Sequence, residues 1–277
     1  MLIAAPRFFI NGMKKSAAIL GLLLTAYPGG AATLWSAGVT AEQGWYDIDK
    51  AGNGTESGLC WAICASNLIA WWQNNQPSHQ LPADVPMGGE VWQTYRNSFT
   101  NEGSDPDEGL RWWFTGKYAP TAPSTGEQCA AVTTDKTGAY YADKGESFFK
   151  SILSRGRGAQ AAAPLLQQAF YEGFCRGDSF WIGVGYYRRN GLRYTHSLSV
   201  WGIDYELNED KSPRITAIYI TDSDDKCRYL HRIPIKEQDG WLKFDCPQHP
   251  MYGRIGDITI TTYTGMSKCP LHDLPRH

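Results

Sequence analysis

Gly58-Leu59-Cys60-Trp61-Ala62-Ile63-Cys64-Ala65-Ser66-Asn67-Leu68-Ile69-Ala70-Trp71-Trp72 is apolar on almost every side when wound as a helix, and it opens on a thiol. Such a run predicts a helix sunk in a core rather than one lying on a surface. Ser57 is the expected N-cap, its side-chain oxygen accepting a backbone N–H, which would set Cys60 at the third helical position. There the free N–H groups and the macrodipole favour an anion, and the thiolate is the nucleophilic form of cysteine. Cys64, one turn further on, has no such advantage and reads as a buried structural cysteine. Cys60 could be read the same way. What separates the two readings is whether a base and an orienting carboxylate occur elsewhere in the chain.

Both are found in the second half. Tyr194, His196, Leu198 and Val200 alternate with Thr195, Ser197, Ser199 and Trp201, so His196 shares one strand face with apolar residues and is expected to point toward the helices. A lone His on such a face is commonly a core residue. A second strand, Ile215 to Thr221, follows the polar loop 206–213, and the two should form a hairpin. A hairpin centred in that loop sets His196 opposite position 223, between Asp222 and Asp224. A shift of one residue puts Asp222 directly across from His196, where its carboxylate can fix the imidazole. The alternative for Thr221-Asp222-Ser223-Asp224-Asp225 is a solvated turn or a Ca²⁺-binding loop, although the spacing is not that of a complete EF-hand loop.

The rest of the chain is read around these residues. Trp45 to Lys50 alternates like a short strand and leads through Gly52-Asn53-Gly54 to the thiol helix. Residues 74–90 read as a loop, Glu90 to Phe99 as a short helix, and Gly103 to Glu108 as an acidic turn. The aromatic block Gly109 to Gly116 reads as core, 118–146 as a long loop or weak strand pair, Ala161 to Gly173 as a helix, and Phe180 to Tyr187 as a strand. With helices early and strands late, the expected class is α+β, an N-terminal helical layer packed on a C-terminal, mostly antiparallel sheet.

Met13-Lys14-Lys15 and the apolar run Ser16 to Ala26 form a signal-peptide pattern, with small residues Gly30, Ala31 and Ala32 as a cleavage site. The expected organisation is a signal peptide over 1–32, within which 1–12 is a candidate misassigned start, and one domain over 33–277. The expected location is secreted or periplasmic, without a membrane anchor. The formal net charge of −2 and sequence pI of about 6.3 supply no electrostatic footprint for nucleic acid. Seven cysteines in an oxidising compartment could make three disulfides and leave one reactive thiol; Cys227 and Cys246 flank a probable hairpin and are the expected pair. Arg176-Gly177-Asp178 has the form of an integrin-binding tripeptide, but three residues carry little information.

The order Cys, His, Asp recurs in papain-like proteases, transglutaminases and several amidases. Three blocks, Trp45 to Trp72 with Cys60, His196 to Asp204, and Ala217 to Asp224, resemble the IdeS/Mac family of secreted bacterial immunoglobulin-degrading cysteine proteases, whose fold is papain-like. The blocks cover about a quarter of the chain, and residues 78–180 match poorly. The resemblance implies Cys60 as nucleophile, His196 as base, Asp222 as the carboxylate orienting it, and Asp224 as a second aspartate beside them. It also implies Lys50 at the oxyanion site, although the residue alone would be read as a solvated surface lysine. The implied activity is endopeptidase cleavage of a protein, with immunoglobulin a substrate by analogy, and it needs neither cofactor nor metal. A cell-wall amidase or transglutaminase, and a non-catalytic secreted binding protein, are the alternatives.

Overall fold

The computed structural model describes residues 31–51, 54–120, 128–134, 138–159, 162–245 and 254–268. The signal-peptide pattern at 13–30 and cysteines 246 and 269 lie outside the described residues. Helix α1 (Cys60–Asn74) is buried from Trp61 to Gln73, as its all-round apolar sequence requires. It begins at Cys60, with Leu59 as an N-cap that makes no side-chain bond, so Ser57 does not cap it and Cys60 is the first helical residue rather than the third. Two helices pack on it, α2 (Gly89–Ser98) and α3 (Pro106–Thr115). The first turn of α3 occupies the segment read as an acidic turn: Asp105 caps it by accepting from Asp107 N at 2.8 Å, Pro106 supplies the N-terminal φ, and Gly116 ends it at φ 77°. Helix α4 (Gly145–Ile152) lies at the end of the region read as a loop, and α5 is Ala163–Arg176.

The strands are β1 (Ala32–Trp35), β2 (Leu153–Ala159), β3 (Ser179–Arg188), β4 (Arg193–Leu207), β5 (Pro213–Thr221), β6 (His231–Gln238), β7 (Trp241–Phe244) and β8 (Arg254–Met266). All pairings are antiparallel. From β4 they run through β3, β8, β7, β6 and β5 and back to β4, so six strands close on themselves. The expected papain-like helical layer on an open sheet is therefore corrected: among the described residues the structure is a closed six-stranded antiparallel barrel with five α-helices. Closure follows from β4, which pairs along one side with β3 and along the other with β5. With both edges satisfied, the alternating apolar residues of each strand face one another inside the ring.

Two cores result. Ile182, Val184, Leu198, Val200, Ile218, Ile220 and Ile260 fill the barrel together with the apolar face of α5. The opposite parity, Trp181 and Trp201, joins α1, α2, α3 and α4 in an aromatic core outside it. Leu198 and Val200 therefore point into the barrel and not toward the helices, contrary to the expectation for that face. Asp107 at the start of α3 joins the two layers, accepting from Trp181 Nε1 at 2.8 Å and Thr264 Oγ1 at 3.1 Å. Trp45 to Lys50, read as a strand, runs extended but belongs to no strand, its Lys50 N bonding to Ser223 O at 2.9 Å. Among the described residues no helix is long and apolar enough to cross a membrane. Asp178 is 1% exposed and ion-paired to Arg176, so the Arg-Gly-Asp tripeptide is a helix terminus rather than a displayed ligand.

The aromatic core is tight against Gly109. A Cβ there would lie 2.9 Å from the Trp61 ring and 3.2 Å from Ala65 Cβ. In an exposed helix Gly→Ala stabilises by up to about 1 kcal/mol, whereas overpacking a core costs about 1–3 kcal/mol. Gly109→Ala is expected to be destabilising by roughly 1–2 kcal/mol, as measured by the urea midpoint at unchanged m-value.

Candidate active site

The segment before the thiol is held from several directions. Glu56 is buried, accepts from Ala51 N at 2.6 Å, and pairs with Arg96 at 2.6 Å. Gly58 N donates to Asn101 Oδ1 at 2.9 Å, and a Cβ on Gly58 would fall 2.7 Å from Asn101 O, so only glycine fits this crossing. The chain then enters α1, and Cys60, as first helical residue, presents an N–H with no intrahelical acceptor. The thiol itself is half-buried.

The strands deliver the partners at one rim of the barrel. The last pair of the β4–β5 ladder is Ser199↔Thr221, so His196 and Asp222 lie just beyond it. Continued, that register sets Asp222 across from Leu198 and Asp224 across from His196, not Asp222 across from His196 as the sequence predicts. Asp222 instead reaches diagonally, its Oδ1 2.7 Å from His196 Nε2. It also accepts from Asp224 N at 3.0 Å, which holds the carboxylate in place. His196 is 4% exposed, and its other ring nitrogen, Nδ1, is 3.8 Å from Asp224 Oδ2. The His196 imidazole lies beside the Cys60 thiol, close enough for each to shift the other's protonation.

Lys50 belongs to the same assembly. Its Nζ lies 2.7 Å from Asp224 Oδ1, donates to Ser57 O at 3.2 Å, and is 10% exposed, against 42% for Asp224. All five residues singled out from the sequence, Cys60, His196, Asp222, Asp224 and Lys50, thus meet at one place. A small open cleft of about 190 Å³ adjoins them, lined by Lys50, Ala51, Gly54, Ser57, Ser223, Asp224 and Lys226.

The electrostatics follow from these contacts. Burial alone would push the Cys60 thiol up, but the bond to His196, the charges of His196 and Lys50, and the Ser197 backbone bring it down to about 7. Burial likewise opposes charge on His196, yet the Asp222 carboxylate and the thiol outweigh it and hold the imidazole well above its usual value. Lys50 is also burial-disfavoured and raised on balance by Cys60 and Asp224. These directions describe a thiolate–imidazolium pair. Cys64, one turn on and fully enclosed, is pushed far up by burial and stays a thiol.

Two features behind the pair have only weak sequence signals. Asp47, in the extended segment before Lys50, is pushed up to about 8 by burial and by Asp49, Asp225 and Asp222, so it carries a proton at neutral pH. Asp225 pairs with His231, a second His–Asp contact that the acidic run at 222–225 conceals. His196, Asp222 and Asp224 bring ligand atoms within 4.8 Å of one another. Calcium wants about six to eight oxygens; these three residues offer an imidazole and two carboxylates, one paired with an imidazole and the other with an ammonium. A cation there would have to displace Lys50, and the donor set does not fit the Ca²⁺ loop considered from sequence. Cys60, Cys64, Cys175 and Cys227 are free thiols, so the expected Cys227–Cys246 pair is not formed on the Cys227 side.

No protein-family model and no curated protein matches the chain.

Alkylation of Cys60 by iodoacetamide reports its thiolate fraction, which rises with pH through the thiol's pKa. The rate at Cys60 is expected to rise with a midpoint near pH 7, against about 8.5 for an unperturbed cysteine. Asp222→Asn removes the charge that stabilises the imidazolium, and its midpoint should move upward. Peptide-resolved alkylation rates between pH 5 and 10 check both.

Proposed function

We propose that the chain is a cysteine endopeptidase that cleaves a protein substrate through Cys60, and that it is a secreted enzyme of the IdeS/Mac kind. The observation that carries the reading is the thiol at the first position of a buried helix, beside an imidazole that lowers its pKa and is itself 2.7 Å from a buried carboxylate. Nucleophile, base and orienting group in this order of contact are the requirements for acyl transfer through a thioester.

The Cys60 thiolate attacks the scissile carbonyl. Negative charge moves to the carbonyl oxygen, where the Cys60 N–H and the Lys50 ammonium stabilise it. The His196 imidazolium gives its proton to the departing amine, the C–N bond breaks, and a thioester remains on Sγ. His196, now neutral, takes a proton from water, whose oxygen attacks the thioester; the acid product leaves and the thiolate–imidazolium pair returns. Asp222 keeps the ring in one orientation throughout. Asp224 sits on both Lys50 and His196, within ion-pair distance of each, and fixes the two cations relative to one another.

Incubation of residues 33–277 and the Cys60→Ala variant with immunoglobulin G and a complex protein mixture under mild reduction, with mass spectrometry of new termini, tests the reading. Fragments from the parent alone support it and reveal whether immunoglobulin is among the substrates. Muropeptide cleavage or amine incorporation into glutamine would favour the amidase or transglutaminase. Silence from both proteins, with no iodoacetamide label on Cys60, would leave the binding protein. Lys50→Met removes one of two oxyanion donors and is expected to lower kcat by roughly 10²–10³-fold with a much smaller change in KM, as steady-state kinetics on a cleaved peptide would show.

A further inference from the structure

The strand face that carries His196 continues toward the tip of the β3–β4 hairpin. Val184 pairs with His196 and Tyr186 with Tyr194, and Arg188, two residues on, shares their parity. The Arg188 guanidinium lies 4.1 Å from the centre of the Tyr194 ring and 5.9 Å from that of Tyr186, and donates to Tyr186 OH at 3.4 Å. The two rings are stacked at 6.2 Å, and Asn190 Nδ2 fixes the Tyr194 hydroxyl at 3.0 Å. The cation is therefore clamped before any ligand arrives.

It is also without a counter-ion. Among the described residues no carboxylate lies within ion-pair distance of Arg188, and its Nε is sealed from solvent without a hydrogen-bond partner. The carboxylate charge it senses is that of Asp224, already paired with Lys50. Arginine held rigid by aromatic faces loses little entropy on meeting a carboxylate, and it matches one with two parallel N–H groups. The exposed Tyr187 and Leu192 at the same tip add an apolar margin.

The proposed mechanism fixes which part of a substrate would pass this point. His196 protonates the departing amine, so the leaving segment lies on the His196 side of Cys60. Tyr194 is two residues from His196 along β4, roughly 7 Å at a strand's rise per residue, which an extended peptide covers in two to three residues.

We propose that Arg188, held on the Tyr194 ring and the Tyr186 hydroxyl, is a specificity residue that binds a carboxylate two to three residues beyond the scissile bond, on the leaving-group side. The inference rests on the endopeptidase reading. An acidic side chain and a free chain terminus offer the same carboxylate; the first gives internal cuts, the second removal of a few residues from C-termini.

The test is to digest a denatured proteome with the parent and map the residues after each cut. The best-cleaved peptide is then made with Glu, Gln or Lys at the mapped position and measured with the parent, Arg188→Gln and Arg188→Glu. The parent should show Asp and Glu enriched there, or trimmed C-termini, and prefer Glu over Gln by roughly 10- to 100-fold in kcat/KM. Arg188→Gln should bring that ratio near one, and Arg188→Glu should turn the preference toward Lys. A merely structural role would lower all three rates together and leave the ratio intact, which overturns the inference. So do parent fragments with no acidic or terminal preference. No fragments at all, with Cys60 still labelled by iodoacetamide, overturns the endopeptidase reading itself and this inference with it.

Discussion

The reactive end of this protein depends on a helix that has no solvent-facing side. α1 is enclosed from Trp61 to Gln73, with α2 and α3 on one flank and strands β3 and β4 on the other. A surface helix can rock or fray at its first turn; one gripped all round cannot do so without opening a cavity in an aromatic core. The position of Cys60 is therefore set by Trp61, Trp71 and Trp72 more than by any local cap. Asn67 adds a polar pin, its Nδ2 donating to Ser199 Oγ at 3.2 Å, so the helix is registered against the strand that carries His196.

The second constraint is charge. A thiolate, an imidazolium and an ammonium meet where burial disfavours each of them separately, and they are tolerated because they face one another and two carboxylates. The arrangement is a network rather than a set of pairs: Asp222 serves His196 and a backbone N–H, while Asp224 serves Lys50 and the far side of the imidazole. Removing one member shifts the charge state of the rest. Asp47 behind them keeps its proton because burial and the neighbouring Asp49, Asp225 and Asp222 disfavour a further negative charge there.

Much of the site was legible in the sequence because its residues announce themselves locally. A thiol opening an apolar helix, a His on an alternating strand and an acidic run after the next strand are all short-range patterns. The helix at 90–99 is found within one residue of α2, and the two strands around the loop 206–213 do pair. What escaped depends on long-range geometry. Ring closure needs β3 to meet β8 and β4 to meet β5 at once, and no local pattern encodes which edges join. Register slipped at the turn: the ladder closes at Leu207↔Pro213, half a residue beyond the midpoint of the loop 206–213, and the one-residue shift read from sequence runs the opposite way, while the irregularities between Val200 and Gly202 and between Asp204 and Tyr205 cancel each other. Arg188 was invisible because its meaning comes from the pairing of Tyr186, two residues before it on β3, with Tyr194 across the hairpin on β4.

Closure of the barrel has a consequence for the thiol. Cys60 arrives in a segment whose contacts with α2 and α3 are near in sequence, whereas His196 and Asp222 reach it only when β3, β4, β5 and β8 have assembled. Contacts of long sequence separation form slowly because loop entropy must be overcome first. Without the His196 imidazole beside it, Cys60 would be an ordinary cysteine, almost wholly protonated at neutral pH. The reactivity of the nucleophile is thus tied to the finished ring: the group that lowers its pKa sits on a strand 136 residues further along the chain and is held there by pairing with β3 and β5.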